Sequence, residues 1–346
     1  MPSLQTTPFD YPSESLLRRA RGVLALALSL TLMSCAEPAA TPSSSSDAFT
    51  KDGAWTSPLD REHPLVGRIW DVAASRYVEP QILAGAVRGS RFVAIGEQHD
   101  NVDHHRLEAI LLGAVTATRR PAVVFEMLDV GAQEAVNRAE AAHPGDPDAI
   151  AAAVDWEHSG WPAWSMYRPV FAVAAAHDLA VVGGGFDRAE AHRIARSGVA
   201  ALAPELVGRF ALTSPLDPTT ASALRDEMRE AHCGMLPESM LDVMSLVQRS
   251  RDAELAGRLA DRDDHQGAVL IAGNGHVRTD RGVPRVLAGA THARVLSVAL
   301  VEVHHEWTLP GNYAAAFGAA ALPFDYVWFT PRASDEDHCA ELGPKK

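Results

Sequence analysis

The sequence predicts an α/β fold, a mostly parallel (mixed) sheet flanked by helices with a helical excursion. Three observations carry this expectation. Short β-branched apolar runs alternate with longer stretches of helical period, as in strands joined by crossover helices. Four successive runs end in ionisable or amide side chains, the placement expected where an open α/β sheet binds ligands beyond the carboxyl ends of its strands. The 346 residues are 47% hydrophobic and 22% charged, enough apolar material for a sizeable core.

In chain order, "RFVAIG" (91–96) runs into Glu97 and His99, and "PAVVFEM" (121–127) carries Glu126 at its end. "LAVVGGGFD" (179–187) passes through three glycines to Asp187, and "GAVLIAGNGH" (267–276) delivers Asn274 and His276. "ARVLSVALVEV" (293–303) and "FDYVWFT" (324–330) read as two further strands. Between them "HHRLEAILLGAVTA", "AQEAVNRAEAA" and "YRPVFAVAAAH" suit helices on the sheet faces. Glu97 and His99 are two apart, so an extended chain points them the same way. "DNVDHHR" (100–106) is largely a helix start, with Asp100 or Asn101 as its N-cap, worth about 1 kcal/mol. His104 and His105 are adjacent and cannot share one helical face, so at most one turns towards the crevice and the pair is expected to lie outside the site.

The N-terminus predicts export. Arg18, Arg19 and Arg21 precede the apolar run 23–33, and Ser34 precedes Cys35. At about 1.5 Å per residue this run is too short to span a bilayer and has the form of a signal peptide. "LMSC" resembles a bacterial lipobox, which makes residues 1–35 a lipoprotein signal peptide and Cys35 the lipidated first residue of the mature chain. Residues 36–60, rich in Pro, Ser and Ala at their start, read as a flexible tether. The folded domain is expected over 61–335, with an excursion at about 188–262 and a tail at 336–346. Of the three cysteines, Cys233 and Cys339 remain; an oxidising compartment would allow them to pair, and two free thiols are the alternative. The net charge of −13 argues against a nucleic-acid partner, which needs a basic face.

Several segments together resemble one family. "AIGEQHDNVDHHRLEAILL", "VVFEMLDVGAQ", "DWEHSGWPAWSMYRPVFAVA", "AHCGMLPESMLDVMSLVQRSRDAELAGRL", "LIAGNGHVRTDRGVP" and "FDYVWFTP" are similar, in this order over about 64–331, to signatures of the ChaN-like haem-binding uptake family, related to the Tiki, TraB and erythromycin-esterase group. The resemblance implies an iron-regulated, haem-binding surface lipoprotein with a mixed α/β core and a helical excursion. One departure is Gly185, where the family tends to carry an asparagine.

A haem site needs an apolar slot, an axial ligand and cationic groups for the propionates. Trp156, Trp161 and Trp164 are candidates for the slot, Tyr167 or His158 for the iron, and Arg168 for a propionate; His99 and His276 complete the expected cofactor-binding set, and His232 is a weaker candidate ligand. The alternative is a hydrolase in the same crevice. Glu97 and Glu126 would then be catalytic, and Glu97, His99, Glu126 and His276 would hold a divalent metal such as zinc or manganese. Neither HExxH nor a G-x-S-x-G elbow occurs, which leaves zinc-protease and serine-triad chemistry unsupported. The expected partners are haem, the membrane through the N-terminal lipid, an outer-membrane haem receptor and a second copy in a homodimer. The expected location is the bacterial cell envelope, at the outer membrane.

Overall fold

A computed structural model describes residues 55–262, 265–336 and 339; the signal-peptide segment, Cys35 and most of the tether lie outside the described residues. All six expected strands form, and the fold is α/β. They are β3 (Phe92–Glu97), β4 (Ala122–Asp129), β5 (Val181–Gly185), β6 (Ala268–Gly273), β7 (Val295–Glu302) and β8 (Tyr326–Thr330). Two shorter strands precede them, β1 (Ile69–Asp71) and β2 (Arg76–Val78). The sheet order is β2-β1-β8-β7-β3-β6-β4-β5. The β8-to-β5 stretch is parallel throughout. β1 joins antiparallel at both of its edges.

β3 and β6 are buried at every position, as strands covered on both faces are, and this is why they read as continuous apolar runs. The covering helices are α1 (Pro80–Gly89), α2 (Val102–Thr116), α3 (Gln133–Ala142), α4 (Pro147–Ala153) and α5 (Trp164–Ala176). They continue as α6 (Arg188–Ser197), α7 (Pro204–Arg209), α8 (Pro218–Ala231), α9 (Glu238–Ala260) and α10 (Val283–Thr291). Helices α6 to α9 form the excursion between β5 and β6. Cys233, just after α8, is disulfide-bonded to Cys339, with Cα atoms 5.4 Å apart, so the two thiols are paired and not free. No helix among the described residues is long and apolar enough to cross a membrane.

The strand order builds the site. The chain leaves β3, skips one position to lay down β4, and much later inserts β6 into the gap. Glu97 at the end of β3 is then level with Gly273 at the end of β6, and Glu126 in β4 lies on the other side of β6. A register shift between Phe125 and Asp129 where β4 meets β5 marks an irregularity of the kind that redirects side chains near functional edges. The same irregularity explains Gly185: a Cβ there would collide with the carbonyl oxygen of Glu126, so β5 can carry no side chain at this position, asparagine included.

Candidate functional site

The turn after β3 is fixed by Asn101, which settles the choice of cap. Its Oδ1 accepts from the backbone N–H groups of Asp103 and His104 at 2.9 and 3.3 Å. Its Nδ2 donates to Glu302 Oε1 and to the Pro331 carbonyl. Asp103 accepts from the backbone of Thr56 and Ser57, fastening the start of the folded domain to α2. Two of the cluster's acidic and amide groups are therefore structural.

His104 and His105 point different ways, as adjacency requires. His104 Nδ1 accepts from the Gln98 N–H at 2.8 Å, and Nε2 lies 2.8 Å from Thr330 Oγ1. Burial pushes its pKa down to about 3, so it is neutral. His105 belongs to the site, against the expectation that both histidines lie outside it. Its Nδ1 is 2.7 Å from Glu97 Oε2 and 3.1 Å from Glu108 Oε2, and its Nε2 is 3.0 Å from the His99 carbonyl oxygen. Burial alone would lower its pKa, but the two carboxylates override burial and raise it to about 11. Glu97 is correspondingly held well below the usual carboxylate range despite its burial, by His105 and His99. Glu108 is pushed up to about 8 by burial and by the charge on Glu97, with His105 opposing. At neutral pH the three groups hold one positive and one negative charge, with a proton on Glu108.

A second cluster stands around His276. Its Nδ1 is 2.7 Å from Asp252 Oδ1, on α9, and its Nε2 is 3.2 Å from Glu126 Oε1. Both carboxylates raise the imidazole pKa to about 10, overriding its burial. His276 in turn holds Glu126 down to about 2 against desolvation. Burial pushes Asp252 up to about 6, with His276 opposing. At neutral pH one imidazolium faces two ionised carboxylates, and this wall of the crevice carries an excess negative charge.

His99 lies between the two clusters. Its Nδ1 is 2.7 Å from Glu97 Oε1, and the Tyr167 hydroxyl donates to the same oxygen at 2.9 Å. Its Nε2 has no hydrogen bond among the described residues and stands 4.0 Å from Glu126 Oε2. Its side chain is 35% exposed, whereas those of His105 and His276 are 0% and 6% exposed. Gly273 makes room for it, since a Cβ there would lie 3.0 Å from His99 Nε2. Trp161 meets the imidazole edge-on, with ring centroids 4.8 Å apart. Beyond Trp161 a cavity of about 520 Å³ is walled by Met127, Leu128, Phe186, Arg188 and Arg251.

The structure separates the expected cofactor-binding residues. His99 opens to the crevice. His276 has both nitrogens against carboxylates, Nδ1 on Asp252 and Nε2 on Glu126, so a metal reaches it only by taking the place of the Nε2 proton. Tyr167 is fully buried against the His105 ring at 4.0 Å, and burial with the nearby Glu97 charge raises its pKa. It positions Glu97 and cannot reach a ligand as placed. Trp164 donates to Asp148 Oδ1 at 2.7 Å, and Arg168 pairs with both oxygens of Asp148. Trp164 and Arg168, one turn apart, both meet Asp148 at the surface, whereas Tyr167 and Phe171 face the core; helical spacing overrules the expectation that the whole segment lines one slot. Trp156 is buried in the core, which leaves Trp161 as the tryptophan of that trio beside His99. His158 is paired with Asp155 on the surface, and His232 Nδ1 is against the Met228 carbonyl. Asp187 caps α6.

Sequence reasoning passed over His105, Glu108, Gln248 and Asp252 as functional groups. The signal for the first pair was a histidine and a glutamate at i, i+3 on a face otherwise filled by Leu107, Leu111 and Leu112, where an unpaired charge would be prohibitively costly. The second pair lies within a segment quoted for its family likeness, where the glutamine and the Arg-Asp pair, Gln248 and Arg251-Asp252, carry the resemblance without being given a role.

Comparison with known proteins places these groups in context. A solved structure of ChaN of Campylobacter jejuni, described as binding haem cofacially, matches with a TM-score of 0.58 at 18% identity, over 75% of this chain and 95% of that one. An erythromycin esterase, EreC, in its open conformation matches with a TM-score of 0.42 at 12% identity, over 75% and 95% of the two chains. The type III effector HopBA1 matches with a TM-score of 0.40 at 13% identity, over 72% and 92%. No curated protein matches the chain. The fold shared with ChaN accords with the sheet described above, and residues 83–287, more than half of the chain, match the family described as "Haem-binding uptake, Tiki superfamily, ChaN"; the chain belongs to that family.

Proposed function

We propose that this protein binds haem in the crevice at the carboxyl edge of its sheet, with His99 Nε2 as the iron ligand, and that it serves iron acquisition from a lipid anchor at Cys35 in the outer membrane. The observation that carries the reading is the state of His99. Its Nδ1 is held by Glu97 at 2.7 Å while Nε2 is open, and a carboxylate behind an imidazole fixes its tautomer and strengthens it as a donor to metal. The cavity beyond Trp161 offers part of what the group needs: Trp161, Met127, Leu128 and Phe186 are apolar walls and Arg188 and Arg251 are cations for propionates, with Asp129 and Asp187 on the same lining. Haem held there would supply an iron whose reactivity the protein tunes through the residue that binds it. Glu97 orients His99, Tyr167 orients Glu97, and the Glu126 carboxylate near His99 Nε2 would favour a more highly charged metal ion. The Cys233–Cys339 disulfide supports export, since such bonds persist in oxidising compartments. A haem receptor in the outer membrane and a homodimer remain parts of this proposal.

A second reading has its own observation. His99 and His276 are each backed at Nδ1 by a carboxylate, Glu97 and Asp252, both at 2.7 Å, and turn Nε2 towards Glu126. Two imidazoles and one carboxylate with such backing would suit zinc or manganese with an open position for water once drawn together on the ion; as placed, Glu97, His105 and Glu108 have the more closely grouped ligand atoms, within 4.8 Å of one another. In this arrangement Glu97 stands behind His99 and orients it, whereas the sequence had placed it among the ligands. Titrating the mature, lipid-free protein with haemin separates the readings. A saturable Soret shift is expected; stoichiometric zinc or manganese by elemental analysis together with no shift would overturn the haem reading.

A further inference from the structure

Behind His276, on the side away from His99, a separate cavity of about 530 Å³ opens between the excursion and α10. Gln248 and Asp252 form part of its lining, and the same two side chains touch His276 Nδ1 at 3.3 and 2.7 Å. Its walls mix apolar side chains, among them Phe210 and Leu224, with arginines.

The charges on this wall are unequally satisfied. Glu227 is paired with Arg281. Asp280 is paired with Arg278 and Arg281. Asp252 shares the one positive charge of His276 with Glu126, so part of its negative charge is left on this wall, and Asp217 caps α8. Arg209 is paired with Asp261. Arg249 and Arg285 have no carboxylate partner among the described residues. Arg249 makes a single hydrogen bond, to the Ser214 carbonyl at 3.2 Å, and burial lowers its pKa. A half-buried guanidinium with one neutral acceptor keeps most of its donors unused and its desolvation uncompensated.

We infer that this cavity is a binding site for an organic di- or tricarboxylate, held by Arg249 and Arg285, distinct from the His99 crevice. Two guanidinia beside an apolar wall select an anion with a carbon body, and planar, bidentate recognition of carboxylates is the geometry arginine supplies. The site shares Asp252 with the His276 cluster, so its occupant lies one side chain away from the crevice wall.

Calorimetric titration of the haem-free, folded protein with citrate tests this, with inorganic phosphate as the comparison probe. Saturable citrate binding is expected, weakened about ten-fold or more in R249Q/R285Q by loss of charge-assisted hydrogen bonds, with the haemin Soret titration unchanged. Arg285 is exposed, so R285Q alone gives a second variant whose folding is not in question and whose citrate binding should also fall. Absence of citrate binding at millimolar concentration would overturn the assignment, as would binding that survives the double substitution. Phosphate binding as tight as citrate would overturn the carboxylate class, and displacement of citrate by haemin would overturn a separate site. The citrate and phosphate results are independent of whether His99 binds haem.

Discussion

Two histidine–carboxylate clusters meet at the carboxyl edge of the sheet, and they differ in what surrounds them. His105 lies between Glu97 and Glu108, all three fully buried, under the ring of Tyr167. His276 lies between Glu126 and Asp252 on the crevice wall, with Gln248 and the excursion behind it. Residue types and distances are nearly the same. In the first cluster a retained proton on Glu108 balances the charges; in the second both carboxylates are ionised at neutral pH and a negative charge is left over. Both clusters are buried; the difference lies in the contacts, because Glu97 and Glu108 share one nitrogen of His105 while Glu126 and Asp252 take opposite nitrogens of His276.

If this contrast is right, the largest effect comes from breaking the sealed cluster. Glu97→Gln leaves the His105 imidazolium with only Glu108 and should cost about 3–5 kcal/mol, the usual penalty for stripping one partner from a buried ion pair. Urea denaturation measures it; a loss under about 1 kcal/mol would show that the pair is not the buried ion pair we describe.

The pH dependence of stability comes next. The folded pKa of His276 is raised from 6.5 to about 10, so its contribution is complete below pH 6.5 and lost as pH rises through about 10. That of Glu126 is lowered from 4.5 to about 2, so its contribution is complete above pH 4.5 and lost as pH falls through about 2. Melting curves across pH should show both limbs, and His276→Asn should flatten both together. An unchanged alkaline limb in that variant would separate the cluster from the pH response.

Asp252→Asn should be milder, about 1–3 kcal/mol, because His276 keeps Glu126 and the amide can still accept a hydrogen bond. The smallest effect is expected at His104, which is neutral and faces Thr330 rather than the crevice. His104→Gln should cost about 1 kcal/mol in a melting experiment and leave haemin affinity as it was. A change in that affinity would mean that the crevice extends further under α2.

How much of this was legible follows from the length of each signal. The six parallel strands could be read because each is a sustained apolar run, five to eight residues long. β1 and β2 could not, because three residues each are too few to show a period. The place of β1 in the sheet rests on a contact between residues distant in sequence, Ile69 opposite Trp328 in β8. Glu97, His99, Glu126 and His276 were legible because each follows or ends a strand. His105, Glu108 and Asp252 were not, because helix-borne groups reach the site only through the packing of α2 and α9. Tyr167 and Arg168 show the converse: the right residue types in one segment, separated by the turn of a helix.

The central claim is that His99, and neither His276 nor Tyr167, binds the iron of haem. The most direct measurement is the haemin Soret titration of His99→Gly with and without free imidazole. Loss of the wild-type spectrum in the variant, restored by imidazole, is the predicted result. A wild-type spectrum that persists in His99→Gly, or one that disappears instead in Tyr167→Phe, would contradict it.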